Sequence, residues 1–499
     1  MQANFTHAVT DWKQVLKFPE QILLEGIESV YQPNISEYSP VPISAVVKPY
    51  SVTEVQQIVK IANEYAIPLY PISTGKNWGQ GSKQPLQPNS VIVDLAHLNT
   101  VRTTNEKFRY AVIEAGVTQR QLAEALVHSD LMLPMTGSGN DTSVVGNLIE
   151  RGATFFAHRN NLLLGVEVVL GNGELVRTGL WHFFDDKIPV EPFIYHAAGV
   201  GANINGLFTQ SNFGIVTAMV VQLLPRTKGT IVYLEANEKQ LTPLIDTLRS
   251  LKDEGITTDF LLLTNKNDPR TTTAGQYVYT GDWVAFTTIT GSLAMQRVAQ
   301  AEIKQRLQDI CYHFLFIEDD TPDESLYHDY FRVVRKLYQG MPSDYSLETM
   351  AGIFRVTLQE NNKDIDYYDQ IPGFSVVLLA VPYESSTIQQ IISTVNLVST
   401  RLGVQAFHNF ATLSSTSMEG YYRMYFNRKD AKQVAVAHQW NTEVCKALEQ
   451  IGVFPYRLNH QQMNYFTDRE GDSYWQLLAD IKTVVDPKGI ISPKKYNKK

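Results

Sequence analysis

Three segments of the chain gather glycine with small hydrogen-bonding side chains: residues 75–81, 137–152 and 201–214. The first, in "LYPISTGKNWGQG", follows a strand-like run and sets Ser73, Thr74 and Asn77 beside Gly75, Gly79 and Gly81. The second carries Thr142, Ser143 and Asn147, and the third Thr209, Gln210, Ser211 and Asn212. Any one of them alone is a turn by default. Together they offer converging backbone N–H groups with hydroxyl and amide side chains alongside, a chemistry suited to holding a pyrophosphate without arginine. Other chemistries are poorly served. The 11 histidines show no HxxxH or HExxH spacing, and two distant cysteines, Cys311 and Cys445, cannot make a zinc site alone, so no metal is expected. There is no G-x-S-x-G elbow, no G-x-x-x-x-G-K-[ST] loop, and no G-x-G-x-x-G after the first strands.

The elements around these segments read as alternating strands and helices. A capping box at Ser51 and Glu54 opens a helix whose apolar face is Val55, Ile58, Val59 and Ala62. The strand "IPLYPIS" follows, then the strand-like "SVIVDLAHL" and "YAVIEAG", and a helix opened by Thr118 with Gln121 three residues on. "GVEVVLGNGELVRTG" reads as a hairpin. After Pro225 the composition changes to longer amphipathic helices between strands such as "FSVVLLAVPY", an α+β domain of its own. The length, 499 residues, calls for more than one core, and a net charge of −8 argues against nucleic acid. No secretory signal and no membrane span are read from the sequence, and the sparse cysteines fit a cytoplasmic location.

Taken in order, "PISTGKNWGQG", "SVVGNLIERG", "GVEVVLGNGELVRTG", "GLFTQSNFGIVT", "PYR" and "VDPKGIISP" resemble the successive signatures of the vanillyl-alcohol oxidase and p-cresol methylhydroxylase flavoprotein family. The resemblance implies an α+β fold: a two-lobed FAD-binding domain over residues 1–227, a cap domain over 228–455, and a C-terminal return, 456–499, to the FAD-binding domain. It implies that Pro71, Ser73, Thr74, Gly75, Lys76, Asn77, Trp78 and Gly79 wrap the FAD pyrophosphate. By the same resemblance Gly146 and Asn147 lie along the flavin, and Gly139, Ser143 and Gly152 belong to the cofactor site. Gly206, Asn212, Gly214, Ile215 and Val216 flank the adenine side, and Arg457 and Lys495 complete the cofactor site. The glycines are expected to permit close backbone approach to the ligand.

The departures from the family are as informative. The position of covalent flavin attachment falls on Phe374, which has no nucleophile, so FAD is expected to be non-covalent. Tyr456 and Arg457 match two members of the phenolate-binding trio, and the third place holds Gln80. An aspartate near flavin N5 in relatives is replaced by Asn160, which cannot take a proton at neutral pH. His158, two residues away, is either a general base or a solvent-facing loop histidine beside Arg159. On the cap, Phe374, Val376 and Tyr421 are expected at the substrate pocket. In "AFHNF", His408 and Phe410 share one face and Phe407 and Asn409 the other, so both His408 and Asn409 are candidates.

These readings imply an FAD-dependent oxidoreductase taking hydride from a small, para-substituted phenolic or alcohol substrate, with oxygen or another acceptor reoxidising the flavin. Arg457→Ala is expected to cripple substrate binding while leaving FAD bound. Two alternatives stand beside it: a dehydrogenase or oxidase of a specialised natural-product alcohol or amine, and a flavin-binding protein without turnover. The family resemblance also implies a homodimer.

Overall fold

The computed structural model describes residues 2–152, 154, 159–184, 194–226, 229–257, 261–266, 268, 272–273, 276–277, 280–318, 321–322, 329–353, 372–412, 414–469 and 471–497. The first lobe is a four-stranded sheet in which Ile43–Val47, Ser90–Asp94 and Leu69–Ile72 run parallel, with Ile22–Leu23 added antiparallel. Parallel strands need a crossover connection, and Val52–Tyr65 supplies it between Ile43–Val47 and Leu69–Ile72, which flank Ser90–Asp94 in the sheet, burying Val55, Ile58, Val59, Ile61 and Ala62. Ser51 caps this helix by accepting from the Glu54 N–H at 3.2 Å. The Glu54 carboxylate, however, reaches one residue further back than a capping box requires. It accepts from the Tyr50 N–H at 2.7 Å and from Gln21 Nε2 at 2.8 Å. The Thr118–Gln121 box is complete.

The second lobe is a five-stranded antiparallel sheet, ordered Val101–Asn105, Tyr110–Glu114, Ile215–Gln222, Leu163–Val169, Leu175–Arg177, the last two forming the hairpin. The C-terminus closes on the first lobe. Leu69 N–H donates to Ile490 O at 2.7 Å, and Ser492 N–H donates to Leu69 O at 2.8 Å.

Between these parts lies an eight-stranded sheet in the order Cys311–Ile317, Gly229–Ala236, Trp283–Thr290, Leu262–Asn265, Asn409–Thr412, Ser417–Phe426, Gly373–Pro382, Phe454–Arg457. Every pairing in it is antiparallel. The helices Leu241–Asp253, Leu293–Leu307, Ser385–Arg401 and Ala431–Glu449 pack one face around Phe410, Tyr422 and Trp440, all fully buried. Phe410→Ala at that density costs about 3–5 kcal/mol. Because Phe454–Arg457 is the edge strand of this sheet, Tyr456 and Arg457 belong to it, and the chain returns to the first lobe only after residue 457. Among the described residues no helix is long and apolar enough to cross a membrane. No group of three metal-ligating side chains is found among them either.

Candidate functional site

The face of the large sheet away from its helices looks across a cavity of about 360 Å³ onto the first two glycine-rich segments. Strand alternation decides which cap residues reach it. Along Gly373–Pro382, Phe374, Val376 and Leu378 point to this side, whereas Val377 and Leu379 enter the helix-packed core. On the neighbouring strand Tyr421 pairs with Leu378, Arg423 with Val376 and Tyr425 with Phe374. Tyr422, Met424 and Phe426 go to the core. Leu378 also registers with Arg457. The cavity thus gains a wall of Phe374, Leu378, Tyr421, Arg423, Tyr425 and Tyr456.

The same alternation resolves the two faces of "AFHNF". Asn409 lines the cavity. His408 does not: it lies on the helix side, 3.2 Å from Tyr422 Oη and 3.0 Å from Asn396 Oδ1, and burial pushes its pKa down to about 4. Its expected place in the substrate pocket is corrected accordingly.

The facing loop leaves the strand Leu69–Ile72 and is braced by its own polar side chains. Thr74 Oγ1 accepts from the Ser143 N–H at 3.1 Å, and Asn77 Oδ1 accepts from Arg457 Nη2 at 2.6 Å. Ser143 caps the short helix Val144–Ile149 by accepting from the Gly146 N–H at 2.9 Å. The glycines serve the chain's own packing more than the expectation of ligand approach allows. Gly79 has φ +76, and a Cβ there lies 2.5 Å from Phe374 Cε1; at Gly75 and Gly81 the obstructing side chains are Lys83 and His460. A Cβ at Gly146 meets Ser73 Oγ at 2.3 Å.

Beneath Arg457 sits Glu150. Lys495 Nζ is 2.6 Å from Glu150 Oε1, Arg457 Nε is 3.6 Å from Oε2, and Tyr496 Oη donates to Oε2 at 3.3 Å. Burial pushes the Glu150 carboxyl up, but Lys495 and Arg457 outweigh it and hold the pKa below the ordinary value. Lys495 moves the other way: burial opposes its charge, and Glu150 holds its pKa above normal.

Of the expected cofactor residues, Pro71, Ser73, Thr74, Gly75, Lys76, Asn77, Trp78, Ser143, Gly146, Asn147, Gly152, Arg457 and Lys495 line the cavity together. Gly79 and Gly139 stand behind it, Gly139 packed against Leu347 and Asp344. Gly206, Asn212, Gly214, Ile215 and Val216 are not among the lining residues. Ile215 and Val216 are inside the five-stranded sheet, paired with Val169 and Val168, and Asn212 Nδ2 donates to Ser492 O at 3.2 Å. Gln80 is buried off the cavity, its amide without a hydrogen-bond partner among the described residues. Val376 packs between Phe374 and Leu378 rather than opening onto the space. His158 lies outside the described residues, and the backbone of Asn160 sits in the 3-10 turn Arg159–Leu162.

Sequence reasoning missed several groups. Arg159 is fully buried and donates to Pro134 O at 3.1 Å, to Asn147 Oδ1 at 3.2 Å and to Gln119 Oε1, all neutral acceptors. Burial alone pulls its pKa down to about 9. Glu150, Arg423 and Tyr425 were also passed over, although Glu150 stands in the quoted "SVVGNLIERG". The cavity suits a polar, phosphate-bearing cofactor at its loop end: Ser82 lines it and Ser82 Oγ is buried with no partner among the described residues.

Comparison with known proteins points to the same class of cofactor. Residues 43–179 match a family model described as an FAD binding domain. Over 220 residues, 43% of this chain and 40% of the relative, the chain is 42% identical to 1'-carboxy-chondrochloren decarboxylase of Chondromyces crocatus. Over 269 residues, 50% of this chain and 49% of the relative, it is 32% identical to the flavoprotein subunit of 4-cresol dehydrogenase [hydroxylating] of Pseudomonas putida. The matched stretch therefore spans less than half the length of either relative. Among solved structures, p-cresol methylhydroxylase with substrate bound superposes with a TM-score of 0.85 at 22% identity, covering 100% of this chain and 98% of that one. The 4-ethylphenol oxidase of Gulosibacter chungangensis, in its isoeugenol complex, gives the same values. At that identity the likeness is one of fold.

Proposed function

We propose, from the premise that this chain belongs to the p-cresol methylhydroxylase and vanillyl-alcohol oxidase family of flavoproteins, that it is an FAD-dependent oxidoreductase acting on a para-substituted phenolic substrate, with FAD held non-covalently. The observation that carries this reading is the aromatic wall of the cap. Phe374, Tyr421, Tyr425 and Tyr456 line the same cavity as Ser73, Thr74 and Lys76 of the loop, so aromatic rings and phenolic hydroxyls share one space with the loop's polar groups. Rings of this kind take a planar ring by stacking and edge contact. When bound, FAD would supply the acceptor for a hydride from the substrate's benzylic carbon.

The chain's own residues would do the rest. Ser73, Thr74, Lys76 and Ser143 would hold the pyrophosphate end, Tyr421 and Tyr456 would fix the substrate's ring oxygen, and the cap would keep water out. Oxygen or another acceptor, and a homodimeric assembly, complete the proposal. Anaerobic mixing of the holoenzyme with 4-alkylphenols tests it: bleaching of the flavin's visible band is expected. An unreduced and spectrally unmoved flavin would refute it.

A second reading has its own support, because the decarboxylase is matched at higher identity than the cresol enzyme. Loss of CO2 beside the carbon that gives up hydride leaves the electron pair that forms the new double bond, and no base has to remove a proton. Asn160, at the place where the family resemblance puts an aspartate, suits such a reaction. Stoichiometric CO2 release from a carboxylated phenolic substrate, matching flavin reduction, would select it.

A further inference from the structure

Asn409 is 1% exposed and lines the cavity, yet neither Oδ1 nor Nδ2 of its amide has a hydrogen-bond partner among the described residues. A buried amide without partners is costly, and a ligand group that pairs with it removes that cost. The sheet sets what stands beside it. Phe410 registers with Gly420, so Asn409 is level with Tyr421 on the next strand. Arg423 is two residues further along that strand, on the same face, and lines the cavity as well. Diagonal neighbours of this kind are about 7–8 Å apart, within reach of a long side chain.

Arg423 is steadied from two sides. Its guanidinium stacks over the Tyr421 ring at 5.3 Å, and Asp268, outside the lining, lies 3.8 Å from Nη1. That separation makes an ion pair longer than a hydrogen bond. The other cations of the cavity serve its loop end. Arg457 and Lys495 share Glu150, and Lys76 belongs to the glycine-rich loop. Glu419 is on the other side of Tyr421 from Arg423 and is not among the lining residues. A guanidinium and an amide N–H on one wall form a donor set for a carboxylate. Leu262 and Leu337 line the same space, and apolar walls strengthen charged hydrogen bonds.

We propose that Asn409 and Arg423 form a carboxylate subsite, so that the substrate is a phenol whose para substituent carries a carboxylate. In the phenolic reading above, on which this inference rests, Tyr421 and Tyr456 hold the ring oxygen. Arg423 lies two residues beyond Tyr421, about 6.8 Å along the strand, the scale of one aromatic ring. A phenol anchored at its oxygen therefore brings its para side chain to Asn409 and Arg423. Both are specificity-determining residues: they recognise the carboxylate whether the reaction keeps it or releases it as CO2.

The test is binding of 4-hydroxyphenoxyacetate and of 4-hydroxyphenoxyacetamide to the holoenzyme, each followed by perturbation of the flavin spectrum. The two differ only in carboxylate against carboxamide, and an ether oxygen replaces the benzylic carbon, so neither has a benzylic hydride to give. Wild type is expected to bind the acid about tenfold or more tightly than the amide, the worth of a charged hydrogen bond. Arg423→Gln is expected to bring that ratio to about one and to leave the amide's affinity unchanged. Should Arg423→Gln fail to hold flavin, Arg423→Lys serves: it keeps the charge, loses the bidentate fork and is expected to lower the ratio. Asn409→Leu is expected to weaken both ligands about two- to tenfold, the worth of a neutral hydrogen bond. The ratio separates recognition from a merely structural role, since a distorted cavity weakens both ligands together. A wild type without preference for the acid, a ratio untouched by the Arg423 variant, or affinities untouched by Asn409→Leu overturns this proposal and leaves the phenolic reading standing. Binding of neither ligand overturns both.

Discussion

Arg457 Nη2 lies 2.6 Å from Asn77 Oδ1, joining the edge strand of the cap to the glycine-rich loop across 380 residues of sequence. The same guanidinium stands over Glu150, which holds Lys495 of the C-terminal return. Arg457 therefore braces the loop proposed to hold FAD as well as lining the cavity. Beside the loss of substrate binding expected from the sequence, Arg457→Ala should weaken FAD. A hydrogen bond to a charged group is worth about 1.5–3 kcal/mol, so FAD affinity should fall about 10- to 100-fold. Asn77→Ala, which removes only the neutral partner, should show a smaller fall of the same kind. Flavin fluorescence on titrating the apoprotein measures both. Wild-type FAD affinity in each variant would dismiss the brace.

Gly79 and Phe374 form a second link between loop and cap. The backbone at Gly79 is left-handed, and its missing Cβ is the space that the Phe374 ring occupies. Gly79→Ala combines the left-handed penalty of about 1–2 kcal/mol with overpacking of about 1–3 kcal/mol. Phe374→Leu relieves only the second part. In denaturant unfolding, the double variant should recover about 1 kcal/mol or more of the sum of the single losses, the coupling of residues in contact. Strict additivity would mean that the ring does not press on residue 79.

These two contacts also mark where sequence reading stopped. The hairpin, the Thr118 cap box and the strand before Gly75 were legible because each rests on local rules of turn chemistry and periodicity. So was the polar, glycine-rich character of the loop after it, since Ser73, Thr74 and Asn77 beside Gly75 signal themselves by type and spacing and line the cavity together. What the glycines accommodate was not legible, because Phe374 and His460 arrive from parts of the chain nearly 300 residues or more away. The face of "AFHNF" that meets the cavity depends on sheet order, which period-two alternation alone leaves open. Arg159, read as neighbour to an exposed loop histidine, is buried because Gln119, Asn147 and Pro134 converge on it from three separate segments.

The form of flavin attachment gives a direct test. Phe374 occupies the place where relatives were expected to carry the attaching side chain, and it has no nucleophilic atom. Acid precipitation of the yellow protein should leave all flavin in the supernatant. Flavin in the pellet would point to Tyr425, the phenol that registers opposite Phe374 with ring centroids 5.5 Å apart and lines the same cavity. Mass spectrometry of the flavinylated peptide, with Tyr425→Phe as control, would then identify the bond.

His408 makes the stability of the cap depend on pH. Burial lowers its pKa from 6.5 to about 4 in the folded chain. Between those values the unfolded chain binds a proton that the folded chain refuses, so stability is intact above pH 6.5 and is lost as pH falls toward 4. A shift of this size corresponds to about 3 kcal/mol at the acid end. His460, lowered by burial to about 3, adds a slope of the same sign. It is common to wild type and to a His408→Gln variant, so their difference isolates His408. Urea unfolding of both proteins from pH 7.5 down to 4 should show wild type more stable at the top and the gap closing by about 3 kcal/mol toward the bottom. A gap constant with pH would mean that the cap admits a charged His408, with water reaching the ring between Tyr422 and Asn396.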